Sequence, residues 1–145
     1  MGTPRGQQGL LLLPKHRVHK YVLMTHSREG YRSLGRLVAQ AHRYTPKKLA
    51  ALYERKFMTT LAVKATRHKH VDVLQHLIGH LKKQLLPNER GELDELLRDY
   101  HRRLVPPVVP VTLIKHHVGC IRFGYIQSQV YLNPHPKELM LRNHV

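Results

Sequence analysis

The sequence predicts an all-α fold, a compact single-domain helical bundle of about six or seven helices. Three observations carry this. Apolar residues recur at three- and four-residue intervals through most of the chain, and no stretch alternates apolar and polar residues for long enough to argue a strand. Helix starts are written into the sequence at Thr45-Pro46, where a capping hydroxyl precedes a Pro whose missing donor the first helical position leaves unused, and at Pro87-Asn88, which stops one helix and caps the next. The length of 145 residues suffices for one hydrophobic core and leaves no room for two domains.

Residues 1–14 carry three Gly, two Pro and a Gln pair and read as a disordered leader or expression remnant, ahead of a helical domain over residues 15–145. The first helix runs from about Lys15 to His26. The second spans Glu29 to Ala41, with Tyr31, Leu34, Gly35 and Val38 on one face. The third starts at Thr45-Pro46 and turns Leu49, Leu52, Tyr53, Phe57 and Leu61 inward. The fourth, from His68 to Leu85, buries Val71, Leu74, Ile78, Leu81 and Leu85.

Pro87-Asn88 ends that helix and opens the fifth, whose period is the cleanest, at Leu93, Leu96, Leu97, Tyr100 and Leu104. Its outer face pairs Asp94 with Arg98 and Asp99 with Arg103 at i,i+4, which marks it as structural and electrostatically self-satisfied. Pro106-Pro107 and Pro110 read as a stiff extended connector. A sixth helix follows from Val111 to Cys120, then a shorter element near Tyr125–Leu132. Asn133-Pro134-His135-Pro136 must turn, and Lys137–Leu141 can form a last helical turn.

Several function classes are excluded by composition. A membrane-spanning helix needs about 20 apolar residues, and Leu10–Leu13 is only a run of four closed by Pro14. That run is also too short for a secretory signal, and Gly6 stands where a myristoylation signal needs Ser or Thr. A cytoplasmic protein is expected. The single cysteine, Cys120, excludes a disulfide framework and a thiolate-held iron–sulfur cluster. It lies in an apolar run, Val118-Gly119-Cys120-Ile121, and reads as buried packing rather than as a nucleophile. No catalytic constellation and no cofactor site is visible, so the chain is not expected to be an enzyme.

The net charge of +16 points to a polyanion. Residues 1–85 hold 17 Lys and Arg against Glu29, Glu54 and Asp72, whereas five of the nine acids fall between Glu89 and Asp99. On the second helix Arg28, Arg32, Arg36 and Arg43 lie within about 80° of one another at 100° per residue. Arginine offers phosphate oxygens a planar fork, which positions a nucleic acid without reading its sequence. Arg67, Lys69, Lys82 and Lys83 extend the set of phosphate contacts along the fourth helix.

The polar side of that fourth helix stacks His68, Asp72, Gln75, His76, Gly79 and Lys83. Gly79 weakens a helix interior by about 1 kcal/mol relative to Ala, so it needs a reason. Close approach of a neighbouring helix is the first reading and approach of a sugar–phosphate backbone the second. Asp72, His76 and His80 have the i,i+4 spacing of metal ligands. No Glu stands where a zinc hydrolase keeps its base, so no metal is expected. A carboxylate orienting His76 inside the fold is the preferred reading. His16, His19 and His26 either contact RNA or, since His19 and His26 share a face with Leu23, bond backbone carbonyls. His70 falls on the apolar side and reads as structural.

Three stretches are particular enough to identify a family. They are His19-Lys20-Tyr21-Val22-Leu23-Met24-Thr25-His26-Ser27, His70-Val71-Asp72-Val73-Leu74-Gln75-His76, and Gln129-Val130-Tyr131-Leu132-Asn133-Pro134-His135-Pro136-Lys137-Glu138-Leu139. With them the chain resembles the YbgA-like family from about His16 to Val145. Two departures are Asp72, where the family pattern has Asn, and His80, near which it has an aromatic residue.

The resemblance implies a helical domain found alone or fused behind a TudS-type desulfidase domain, which acts on thiolated uracil and tRNA thiouridine. Such desulfidases rely on an iron–sulfur cluster, so a chain with one cysteine is the other half of the pair. The implied partners are RNA, tRNA in particular, and a TudS-type desulfidase. Carried over as candidate recognition residues are His19, Lys20, His26, Gln75, His76, Gln129 and Tyr131. The rival expectations are an uncharacterised enzyme with a polar pocket around His26, Gln75 and His76, and an adaptor that docks a desulfidase. Sparse aromatics (seven Tyr, two Phe and no Trp) favour recognition of shape and backbone over base stacking.

Overall fold

The computed structural model describes residues 8–121, 124–135, 137–138 and 142, and these are helical with no strand among them. They form eight α-helices rather than six or seven. The chain divides into two compact units between Lys64 and Ala65, where the sequence suggests one domain.

In the first unit, α1 (Gln8–Val18) begins seven residues before the expected start at Lys15 and contains Pro14. Residues 1–7 of the expected leader lie outside the described residues. The expected first helix is broken at His19, which separates α1 from α2 (Lys20–His26). No Gly or Pro stands at the break. It lets Leu12 and Leu13 of α1 and Leu23 of α2 reach one core.

Ser27 is fully extended and caps α3 (Arg28–Ala39) by accepting the Gly30 N–H at 3.0 Å. A 3-10 turn over Ala41–Arg43 leads to Thr45, whose Oγ1 accepts the Lys48 N–H at 3.3 Å and starts α4 (Pro46–Ala62). Leu23, Leu34, Leu37, Leu49 and Tyr53 form the buried centre, with Tyr31, Leu52, Phe57 and Leu61 half-buried around it.

The close helix crossing of this unit is at Gly30. A Cβ placed there would stand 2.6 Å from Cγ2 of Thr60 on α4, so only glycine lets α3 and α4 approach as they do. Thr60 itself is buried, with its hydroxyl donating to the Lys56 carbonyl at 2.7 Å.

In the second unit, Thr66 caps α5 (Arg67–Leu81) through the Lys69 N–H at 3.2 Å, and a 3-10 turn over Lys82–Gln84 follows. Val71, Leu74, Ile78, Leu81 and Leu85 are buried, as their spacing requires. α6 (Pro87–His101) is capped at Leu86 rather than by Asn88, which lies inside the first turn, and the Glu89 carboxylate accepts the Leu86 N–H at 2.8 Å. Leu93, Leu97 and Tyr100 are buried, but Leu104 is 69% exposed because the helix stops at His101 and Arg103 turns the chain at a φ of 65°. With that turn the Asp99–Arg103 spacing loses its helical meaning, and neither it nor Asp94–Arg98 closes into an ion pair among the described residues.

Pro110, expected in an extended connector, lies instead in the first turn of α7 (Val108–Ile121), where its missing N–H costs no intrahelical bond. A short α8 (Gly124–Gln127) and a 3-10 turn over Val130–Leu132 bring Tyr131 into the core. There its hydroxyl lies 2.9 Å from Nδ1 of buried His70, so His70 is structural. Burial pushes the Tyr131 phenol well up, and it stays a neutral hydroxyl. Lys137 and Glu138 are helical, and the rest of the expected last turn, 139–141, lies outside the described residues.

Candidate nucleic-acid interface

The arginines of the first unit are set by the period of α3. Its apolar positions Leu34, Leu37 and Val38 are buried, and at 100° per residue Arg28, Arg32 and Arg36 step along the opposite side, all exposed. Both borders of this face are occupied. On one, His16 of α1 stacks on Tyr31 at 4.8 Å with the rings 3° from parallel. On the other, Lys56 of α4 donates to Ser33 Oγ at 2.8 Å.

Arg36 Nη2 donates to Glu29 Oε1 at 3.0 Å, a pair exposed on both sides and therefore weak in water. Arg43 falls past the end of α3, in the 3-10 turn, so the helical sector holds three arginines rather than four. Lys15 is directed elsewhere, with Nζ 5.6 Å and 5.3 Å above the Tyr53 and Phe57 rings. Lys20 Nζ sits 5.5 Å from the Tyr21 ring.

Three histidines of this unit, His16, His19 and His26, bond within the fold. His19 Nδ1 donates to the Lys15 carbonyl at 2.7 Å, and His26 Nδ1 donates to that of Val63 at 2.8 Å. Of their two readings, this is the carbonyl-bonding one. His16 is buried, with Nδ1 3.4 Å from the Tyr53 hydroxyl. Burial, and after it neighbouring His19, lowers the His16 pKa below 6.5. Burial and then Tyr31 push Tyr53 up to about 12.

The second unit contains a cleft of about 640 Å³ between α5 and α6. Val71, Ile78 and Leu97 supply its apolar floor, while Gln75 and Lys82 face it from one side and Asp94, Arg98 and Arg102 from the other. Asp72, at its edge, is paired with His68 at 3.7 Å. His76 is exposed, rather than inside the fold where the sequence reading puts it. Among the described residues no three His, Cys, Asp or Glu are placed to hold a metal ion.

Gly79 also lines this cleft, and a Cβ added there would meet nothing within 4 Å. The expectation of a neighbouring helix against Gly79 is therefore not met; that role belongs to Gly30. Nothing in single-sequence spacing distinguishes the two glycines, since both lie inside helices.

Other expected contacts divide by environment. Lys82, Lys83, Gln75 and His76 are exposed and Lys69 is half-buried. Arg67 is tied inward, with Nη1 donating to the Tyr100 carbonyl at 2.6 Å and Cζ 4.8 Å from the Tyr100 ring, fastening the start of α5 to the end of α6. Gln129 and Tyr131 are fully buried and do not face solvent; the particularity of their sequence stretch reflects a packed turn. Arg98 and Arg102 were not expected to face a cleft. The i,i+4 spacing of Asp94 and Arg98 predicts an ion pair, and none forms between them among the described residues. Cys120 is exposed rather than buried, with Sγ 3.8 Å from Nε2 of His116.

No helix among the described residues is long and apolar enough to cross a membrane. No solved structure matches the chain. It is 29% identical over 133 residues to the uncharacterized protein YbgA of Escherichia coli (strain K12), an alignment covering 91% of this chain and 79% of that protein. Residues 20–136 match the model of a family described as a protein of unknown function (DUF1722), a span that includes α2 to α8 and every candidate contact except His16 and His19. The chain accordingly belongs to the DUF1722 family, the YbgA-like proteins.

Proposed function

We propose that this protein is an RNA-binding module that holds a folded RNA, tRNA foremost, and so supports tRNA thiouridine desulfidation or related tRNA metabolism by a partner enzyme. The observation that carries the reading is the arginine face of α3 in a unit with 13 Lys and Arg but only two acids, Glu29 and Glu54. Glu29 is already engaged by Arg36. Solvated faces ordinarily mix signs, and a surplus of this kind attracts phosphates.

Folded RNA is favoured over an unstructured strand on this face because the aromatic side chains nearby are occupied. Tyr21 and Tyr53 are buried, and Tyr31 and Phe57 lie against His16 and His19. A surface of arginines without an aromatic platform suits the phosphates and shape of an A-form helix. The desulfidase connection rests on the family resemblance.

The test is fluorescence anisotropy with labelled total tRNA, a length-matched DNA duplex and an unstructured RNA, at about 50 and about 200 mM salt. The expected result is a tRNA preference that persists at the higher salt. Arg32→Glu should weaken tRNA binding about tenfold, equivalent to about 1.4 kcal/mol, with an unchanged circular dichroism spectrum. Equal binding to all three that disappears at the higher salt would overturn the reading and leave a basic scaffold for a protein partner.

A further inference from the structure

We infer that the cleft between α5 and α6 is a separate binding site for a short single-stranded RNA segment, holding an unstacked nucleotide. This rests on the RNA-binding reading for the choice of ligand but not for the existence of the site. At about 640 Å³ the cleft is of the size that small-molecule pockets have. Its contents match the parts of a nucleotide.

The floor of Val71, Ile78 and Leu97 offers apolar contact to a base. The rim carries three cations, Lys82, Arg98 and Arg102, suited to phosphate oxygens. Asp94 accepts from ring or exocyclic N–H groups, and the Gln75 amide both donates and accepts, as a base edge requires.

Two further features argue for an external occupant. Asp94 and Arg98 stand one helical turn apart, yet form no ion pair with each other among the described residues, so both remain directed to whatever enters. Gly79 opens the wall between Gln75 and Lys82, and a Cβ added there would meet nothing within 4 Å. A helix-weakening glycine that no neighbour needs is accounted for by a sugar–phosphate backbone passing close to it.

The probe is a labelled pentauridylate RNA added to the full chain, with anisotropy as the readout and inorganic phosphate as competitor. Gly79→Leu places a side chain in the open wall without touching the core, and Lys82→Glu reverses the charge at the rim. Each should weaken pentauridylate binding at least tenfold while the circular dichroism spectrum is kept, and phosphate at equal concentration should not displace the RNA. Parental affinity in both folded variants would overturn the inference, as would displacement by phosphate alone.

Failure of the two readings can be told apart. If tRNA binds and pentauridylate does not, the cleft site is wrong and the RNA module stands. If pentauridylate binds in a Gly79-dependent way and tRNA shows no preference, the cleft stands and the tRNA reading falls.

Discussion

His16 shows how a single side chain couples this fold to pH. It lies flat on Tyr31 and beside the Tyr53 hydroxyl, where burial first and His19 second hold its pKa below 6.5. Between that lowered value and 6.5 the unfolded chain binds more protons at this position than the folded one. By linkage, stability rises with pH through this window. The contribution is complete above about 6.5 and is lost as the pH falls. Denaturant midpoints should therefore drop between about pH 7.5 and about pH 5.5, and drop less in His16→Phe, which keeps the ring stack but cannot titrate. Equal drops in both proteins would show that other histidines carry the effect. At this scale the sequence was partly readable. The face shared with Leu23 pointed to carbonyl bonding by His19 and His26, because amphipathic position is a local property. Gln129 and Tyr131 are buried rather than on a recognition surface, and a polar residue used inside a core looks the same in a sequence as one used outside it.

At the scale of elements, two helical glycines separate packing from opening. Gly30→Ala forces a methyl into Thr60 across the α3–α4 crossing and should destabilise by about 1–3 kcal/mol, the range for overpacking. Gly79→Ala meets open space and should stabilise by up to about 1 kcal/mol through helix propensity. Thermal melts of the two variants should thus shift in opposite directions, and a shared direction would contradict the geometry. Helix starts were the most legible feature, since capping is chemistry between near neighbours: Thr45-Pro46 marks the start of α4 to the residue. Helix ends were less so. Leu104 continues the apolar period of α6, yet the chain has already turned at Arg103. The break at His19 carries no Gly or Pro, and it exists because the helices on either side bury against a common core.

For the whole molecule, charge is the legible property, because it is additive over residues and independent of fold. Unit 1 holds 13 Lys and Arg against two acids, and the second unit holds 12 against seven, five of which belong to α6. Polyanion binding should be correspondingly salt-dependent. Each phosphate neutralised on a duplex adds about 0.9 to the steepness of log K against log salt. Arg32→Ala should lower that steepness on tRNA by about one, and an unchanged slope would place the contacts elsewhere. The division into two units was not legible, since periodicity reveals which face of a helix is buried but not which helices share a core. The cleft was hidden for the same reason: α5 and α6 each show an ordinary amphipathic pattern, and only their pairing brings Gly79 and Arg98 to one cleft.

One detail of α7 has a practical use. The chain's single thiol, on Cys120, is exposed and lies 3.8 Å from the His116 imidazole, in a protein with no other sulfhydryl to compete. A maleimide dye would therefore attach at one known position on the unaltered sequence. An energy-transfer ruler from that dye to a fluorophore on the RNA could then measure where a bound nucleic acid comes to rest.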